Sequence, residues 1–201
     1  MANSRGKVEY ASLRQVGVGI PGRTLFRDIS LSLQAGERIV VRGESGSGKS
    51  QLLKIIAGQD VPSEGQVVRN GRVTQEYVSA NFENQPDQTD TTIREYYLES
   101  RGLNKLGTRK MELEKAMAAG KSSPKLLQEY GNVLNDYEER GGYVAEAEIE
   151  ETLEGLRLSR RFTGHITPDS RLSQVSSGQR TRLAIGRALF SNAQLVILDD
   201  P

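Results

Sequence analysis

Gly43-Glu44-Ser45-Gly46-Ser47-Gly48-Lys49-Ser50 satisfies the pattern G-x-x-x-x-G-K-[ST] at every constrained position. Such a loop binds phosphate because its glycines let successive backbone N–H groups turn inward, where a larger side chain would block the approach of an anion. Lys49 is then the residue to reach the β- and γ-phosphates of a nucleoside triphosphate, and Ser50 offers a hydroxyl to Mg²⁺. The flanks agree with this. Arg38-Ile39-Val40-Val41-Arg42 is short and β-branched, and it predicts an inner strand of a parallel sheet. After the loop, Leu52, Leu53, Ile55 and Ile56 predict a helix over 51–57 that Gly58 ends in a left-handed cap. A helix starting here aims its positive end at the anion, so the cofactor-binding set runs through Gln51.

Outward from this unit, the stretch from Val8 to about Leu33 alternates, with Ile29, Leu31 and Leu33 on one face, which predicts half-exposed antiparallel strands. Gly17, Gly19, Pro21 and Gly22 are expected to break the first strand from the second. Asn70-Gly71 predicts a two-residue hairpin that joins a strand over 66–69 to one over 72–79. Together these form a small β layer beside the nucleotide-binding sheet.

Residues 92–158 are different in kind, rich in Leu, Glu, Lys and Arg at helical spacing. Leu106, Leu113 and Met117 line a first helix that Gly120 ends. Ser123-Pro124 then supplies an N-cap with Pro at the first helical position. Leu126, Leu127, Tyr130, Val133, Leu134 and Tyr137 stripe a second helix that Gly141-Gly142 closes, and the short turn between the two predicts antiparallel packing. From 98 to 125 there are seven basic residues (Arg101, Lys105, Arg109, Lys110, Lys115, Lys121 and Lys125) against Glu99, Glu112 and Glu114, a net of +4. Two readings follow: a solvated hairpin whose basic helix leans on an acidic partner, or a basic face that touches RNA phosphates.

Composition narrows the classes. The 27 basic and 26 acidic residues nearly cancel, so only local patches could carry a nucleic-acid or membrane role. The absence of Cys removes disulfides, thiolate zinc sites and cysteine nucleophiles, and it agrees with a reducing compartment. His165 is the sole histidine, lies in a loop and is assigned no role. No apolar stretch approaches the roughly 20 residues of a membrane-spanning helix, and residues 1–14 lack the apolar core of a secretory signal. A cytoplasmic location is expected.

Two further motifs complete the pattern. Gln194-Leu195-Val196-Ile197-Leu198-Asp199-Asp200-Pro201 reads as an apolar strand ending in acid, which would bury itself beside the phosphate-loop strand and bring Asp199 close to an Mg²⁺ held by Ser50. Just before it, Ser176-Ser177-Gly178-Gln179 opens a helix that carries Leu183, Ile185, Ala188 and Leu189. In this order and spacing, the three motifs resemble the ATP-binding-cassette family of P-loop ATPases. Ser176-Ser177-Gly178-Gln179 stands where that family carries its Ser-Gly-Gly-Gln-like signature, with Ser177 in place of the first Gly. The resemblance implies an α/β cassette binding ATP and Mg²⁺, with a second cassette whose phosphate loop this signature would face. It also implies three parts along the chain: a β layer plus phosphate-loop core over 1–91, a helical insertion over 92–158, and the signature helix with the acidic strand over 159–201.

Thr24-Leu25-Phe26-Arg27-Asp28-Ile29-Ser30-Leu31 and Gly141-Gly142-Tyr143-Val144-Ala145-Glu146-Ala147-Glu148 are similar to the soluble ABC-F branch, specifically to an N-terminal cassette. Many members of that branch act on ribosomes, and the hairpin lies where they carry an arm that contacts RNA. The family pattern also implies Asp200 at the catalytic Glu position, one methylene short of its target. It puts Ile20 where an aromatic residue would stack on the base. Ala80 stands where a Gln would sense the γ-phosphate, with Gln75 and Gln85 as displaced candidates. Family members continue beyond the acidic strand with a bridging loop, a further strand and a histidine that contacts the γ-phosphate. The expected activity is therefore an ATPase that needs its partner cassette. A binding module with little turnover and a transporter's ATPase subunit are the other readings.

Overall fold

The computed structural model describes residues 7–79 and 90–200, in two compact units: one of residues 1–80 with 193–201, the other of residues 81–192. The positions of Ala80 and Gln85, raised above for a γ-phosphate sensor, lie outside the described residues.

The first unit contains two sheets. β1 (Glu9–Ile20) and β2 (Arg23–Gln34) pair antiparallel, and β3 (Glu64–Arg69) pairs with the other edge of β1, giving the order β2-β1-β3. Pro21-Gly22 makes the turn, with Gly22 at φ 78 as the third position of a type II turn demands. Gly17 and Gly19 do not break β1 as expected. They sit within it at register shifts, where a strand glycine makes a bulge rather than an end. The second sheet is parallel: β4 (Gln75–Ser79) against β5 (Leu195–Asp199), with Tyr77 opposite Ile197 and Ser79 opposite Asp199.

Two local expectations fail for identifiable reasons. Asn70-Gly71 does not form a hairpin, because neither residue takes the positive φ that a type I′ turn requires. Instead the Asn70 side chain accepts from the Arg72 N–H (3.1 Å) and the Val73 N–H donates to the Asn70 carbonyl (3.0 Å), a turn that passes the chain from one sheet to the other. Residues 38–42, expected as an inner strand, pair with no strand among the described residues, and Val40 is 73% exposed. A β-branched run becomes an inner strand only when both its edges are paired and both its faces covered, and here neither holds.

α1 (Lys49–Ala57) packs Leu52, Ile55 and Ile56 into a cluster with Val16, Leu13, Tyr77 and Ile197. It ends as predicted at Gly58, φ 75, whose N–H bonds to the Ile55 carbonyl.

The second unit is helical: α2 (Ile93–Ser100), α3 (Leu103–Ala118), α4 (Pro124–Glu139), α5 (Ala145–Gly155), the single-turn α6 (Arg160–Thr163) and α7 (Ser177–Phe190). Ser123 caps α4 through the Leu126 N–H at 3.2 Å, with Pro124 at the first position. Tyr137 lies beside Gly107 and Tyr130 bonds Glu114, so α3 and α4 run antiparallel. The core is built from Ile93, Tyr97, Leu103, Ile149, Leu153, Leu158, Ile166, Leu183 and Phe190. Arg101 belongs to it. The residue is 8% exposed, and its guanidinium pairs with Glu148 (2.6 Å), donates to the Phe190 carbonyl (2.6 Å) and lies 3.8 Å from the centre of the Phe190 ring.

Gly186 of α7 fits against α2 and the end of α5, where an added Cβ would lie 2.3 Å from the Tyr97 hydroxyl oxygen and 2.5 Å from Leu156 Cδ1. Gly186→Ala is therefore expected to overpack this contact and cost about 1–3 kcal/mol, read as a fall in the denaturant midpoint at unchanged slope. An unchanged midpoint would mean that α7 can be displaced without penalty.

Candidate functional site

The phosphate loop closes on itself before α1 begins. The Ser47 N–H donates to the Glu44 carbonyl (3.3 Å), and the chain reverses through Gly46 at φ 75 and Gly48 at φ 94, backbone conformations that L side chains rarely adopt. Ser45 and Gly46 are solvent-exposed at the tip, while 47–50 are half-buried. Space is tight at both ends of the loop: a Cβ on Gly43 would come within 2.8 Å of Ser47 Oγ, and one on Gly48 within 2.9 Å of Phe26 Cδ1 and 3.1 Å of Leu25 Cβ. The β2 side chains thus buttress the loop from behind.

Lys49 is the first residue of α1, and its ammonium spans the loop to the carbonyls of Gly43 (3.0 Å) and Glu44 (2.9 Å). An ammonium has three donors, so this arrangement ties the loop's two ends and keeps one N–H for a ligand. Neither a side-chain cap nor an acidic residue occupies the first turn of α1, so its N–H groups and positive dipole end have no internal competitor for an anion.

Asp199 arrives at the end of the acidic strand, but among the described residues that strand pairs with β4 and not with the phosphate-loop run at 38–42 as expected. β5 alternates, with Ile197 and Asp199 buried and Val196 and Leu198 on the exposed face. The buried face packs on α1, and at its end Asp199 Oδ1 accepts from the Ser50 hydroxyl at 2.9 Å, across 149 residues of sequence. Its other oxygen, Oδ2, accepts from the Tyr77 hydroxyl at 2.9 Å. Tyr77 played no part in the sequence-based site. No signal in the sequence marks it, because the pairing of β4 with β5 that brings it to Asp199 joins segments far apart in the chain. Burial first, and then Asp199, push its phenol up to about 12.

The Gln51 amide donates to the Asp60 carboxylate. Asp200 is exposed and left-handed at φ 47, a conformation Asp tolerates. Ile20 is 49% exposed at the β1 turn. Gln75 does not serve as a displaced γ-phosphate sensor: its amide donates to the Ala57 carbonyl (2.6 Å), at the opposite end of α1 from Ser50. In the second unit, Ser176 caps α7 in a reciprocal box, its hydroxyl accepting from the Gln179 N–H (3.4 Å) and its N–H donating to Gln179 Oε1 (2.8 Å). Ser177 and Gly178 are exposed at the same helix start.

The donors suit a triphosphate with a hard divalent cation. Backbone N–H groups and an ammonium face one region, with a hydroxyl and a buried carboxylate beside it, and Mg²⁺ takes few protein ligands because phosphate oxygens and water supply the rest. Among the described residues no cluster of three or more His, Cys, Asp or Glu could hold a metal alone. The fold and this loop define a phosphate-loop nucleotide-binding domain.

A family model described as ABC transporter matches residues 26–201, and the chain belongs to that family. Domains of this family bind ATP, generally with Mg²⁺, and are ATPases that pair with a second cassette or a transporter subunit. The chain is 29% identical to the tylosin resistance ATP-binding protein TlrC of Streptomyces fradiae, covering 94% of this chain and 34% of that protein. It is 29% identical to the arabinose import ATP-binding protein AraG of Yersinia pestis (96% and 31% covered) and 26% identical to the energy-dependent translational throttle protein EttA of Mycobacterium tuberculosis (89% and 30%). It spans about a third of the length of these curated relatives. A solved structure of an ATP-binding subunit of an ABC transporter superposes with a TM-score of 0.56 at 20% identity, over 96% of this chain and 66% of that one.

Gly48→Ala would force a side chain into the Phe26 contact at a φ that disfavours one. The expected strain is about 1–3 kcal/mol. A lower unfolding midpoint without nucleotide checks it, and a midpoint equal to that of the parent chain would show that the loop is not packed on β2.

Proposed function

We propose that this chain is a nucleotide-binding cassette of an ABC-F-type ATPase that works in the cytoplasm on ribosomes. The observation that carries the nucleotide half is the meeting of Ser50 with Asp199, which joins the phosphate loop to the acidic strand at one end of α1. In this reading Lys49 and the backbone of 46–50 hold the phosphates, and Ser50 and Asp199 hold Mg²⁺. The cation, when bound, neutralises charge that develops on the phosphates. Asp200 orients the attacking water, and Ser176, Ser177, Gly178 and Gln179 serve the loop of a partner cassette, on the same chain in a longer protein or in a dimer. Catalysis then rests on positioning and electrostatics, and the 201-residue chain by itself turns ATP over slowly.

Support for the ribosomal half comes from the α3–α4 hairpin and from the likeness to EttA, whose name describes a translational throttle. The likeness to AraG and the solved transporter subunit favour a transporter's ATPase as the second reading. Within the hairpin, Arg101 is buried, Arg109 pairs with Glu112 and Glu129, and Lys110 pairs with Glu114. Lys105, Lys115, Lys121 and Lys125 have no ion pair among the described residues, so they are the charges free to meet phosphate.

Two measurements test these halves. Lys49→Ala removes charge-assisted bonds worth about 1.5–3 kcal/mol each, so calorimetric ATP affinity is expected to fall about ten- to a hundredfold. Unaltered affinity would end the nucleotide reading. Ribosome pelleting of the chain at low salt is expected to drop when Lys105, Lys115, Lys121 and Lys125 become Glu, and to weaken steeply with salt in the parent chain. Pelleting that survives both changes would remove the ribosomal half, and co-purification with membranes would favour the transporter.

A further inference from the structure

Asp199 is gripped from two sides. Its Oδ1 is tied to Ser50 of α1 and its Oδ2 to Tyr77 of β4, each at 2.9 Å, and the residue is 6% exposed. The grip follows from strand register. In the parallel β4–β5 pair Tyr77 stands opposite Ile197 and Ser79 opposite Asp199, so Tyr77 is one step behind Asp199 on the same face and its phenol reaches forward along the sheet. That face is the one packed on α1, where Tyr77 borders the cluster of Leu52, Ile55, Ile56 and Ile197. The ring is thus held by packing while the hydroxyl meets the carboxylate.

A carboxylate needs such a hold. The χ2 torsion of Asp is broad and two-fold, so the side chain does not itself determine which oxygen faces Ser50. A neutral hydroxyl that donates to one oxygen breaks that symmetry without cancelling the negative charge a cation requires. We propose that Tyr77 is a positioning residue for the cation: by holding Oδ2 it keeps Oδ1 beside the Ser50 hydroxyl, so that two hard oxygen donors stand ready together. The inference rests on the nucleotide half of the proposed function. It adds a residue from a third element, β4, to the loop and the acidic strand, and makes the tyrosine a determinant of the Mg²⁺ requirement rather than of nucleotide binding as such. Partners that orient metal ligands from behind typically change metal affinity by about ten- to a hundredfold when removed.

The test uses the whole 201-residue chain and Tyr77→Phe, which keeps the ring and its packing and deletes only the donor. Binding of a non-hydrolysable fluorescent ATP analogue is followed while MgCl₂ is titrated, and again in excess EDTA. The expected result is a rise of about tenfold or more in the Mg²⁺ concentration for half-maximal binding, with analogue affinity in EDTA unchanged. Thermal unfolding supplies a second readout: the gain in midpoint that Mg²⁺ adds to the analogue shrinks in the variant. A purely packing role lowers the midpoint equally with and without Mg²⁺, and that outcome, like an unmoved Mg²⁺ requirement, overturns the inference. Should the parent chain bind the analogue with no dependence on Mg²⁺, the cation role and the inference with it are overturned, whereas a parent chain that does not bind the analogue at all ends the nucleotide reading itself.

Discussion

The contact between Ser50 and Asp199 at 2.9 Å is the constraint around which the first unit is arranged. It requires α1 to lie on the β4–β5 face with its N-terminus at the C-terminal end of β5. The apolar stripe of Leu52, Ile55 and Ile56 against Tyr77 and Ile197 supplies that alignment through the hydrophobic effect, which has no direction of its own. Strand alternation then gives the direction: the face that buries Ile197 also buries Asp199 two residues on. The carboxylate therefore reaches the helix start because its strand is buried on that side, and it is tolerated there because both its oxygens find donors.

The loop is shaped for a charge that comes from outside. Its own cation is turned inward on the carbonyls of Gly43 and Glu44, which holds the loop in one conformation without any carboxylate to quench the ammonium. With no acid in the first turn of α1, the positive end of the helix is left to a ligand. Gly48 makes this possible twice over, through a φ that reverses the chain and through the absence of a Cβ where Phe26 closes in. A preorganised loop of this kind loses little conformational entropy when an anion arrives.

In the helical unit, structure redistributes charge that the sequence only counts. Of the seven basic residues between 98 and 125, Arg101 is a core residue whose guanidinium serves the carbonyl end of α7 and pairs with α5. Arg109 and Lys110 are occupied by glutamates of the hairpin itself. The leaning of basic helix on acidic partner and four lysines with no ion pair among the described residues are therefore both real, at different positions along the same hairpin. Exposed pairs of this sort contribute little to stability, so the hairpin relies on its apolar stripe and on the Ser123 cap.

What the sequence determined by itself was local: the phosphate loop and the helix after it, the Gly58 cap, the Ser123-Pro124 start of α4, and an acid at the end of an apolar strand. Each depends on backbone chemistry acting over a few residues, where glycine, proline and capping hydroxyls leave few alternatives. Pairing was another matter. The β-branched run at 38–42 finds no strand partner among the described residues, Asn70-Gly71 redirects the chain instead of folding it back, and Gln75 spends its amide on the far end of α1. Only the tertiary structure decided these, and only it put Tyr77 on Asp199, since edges, registers and faces are chosen by whichever distant segment completes the hydrogen bonds and covers the apolar surface.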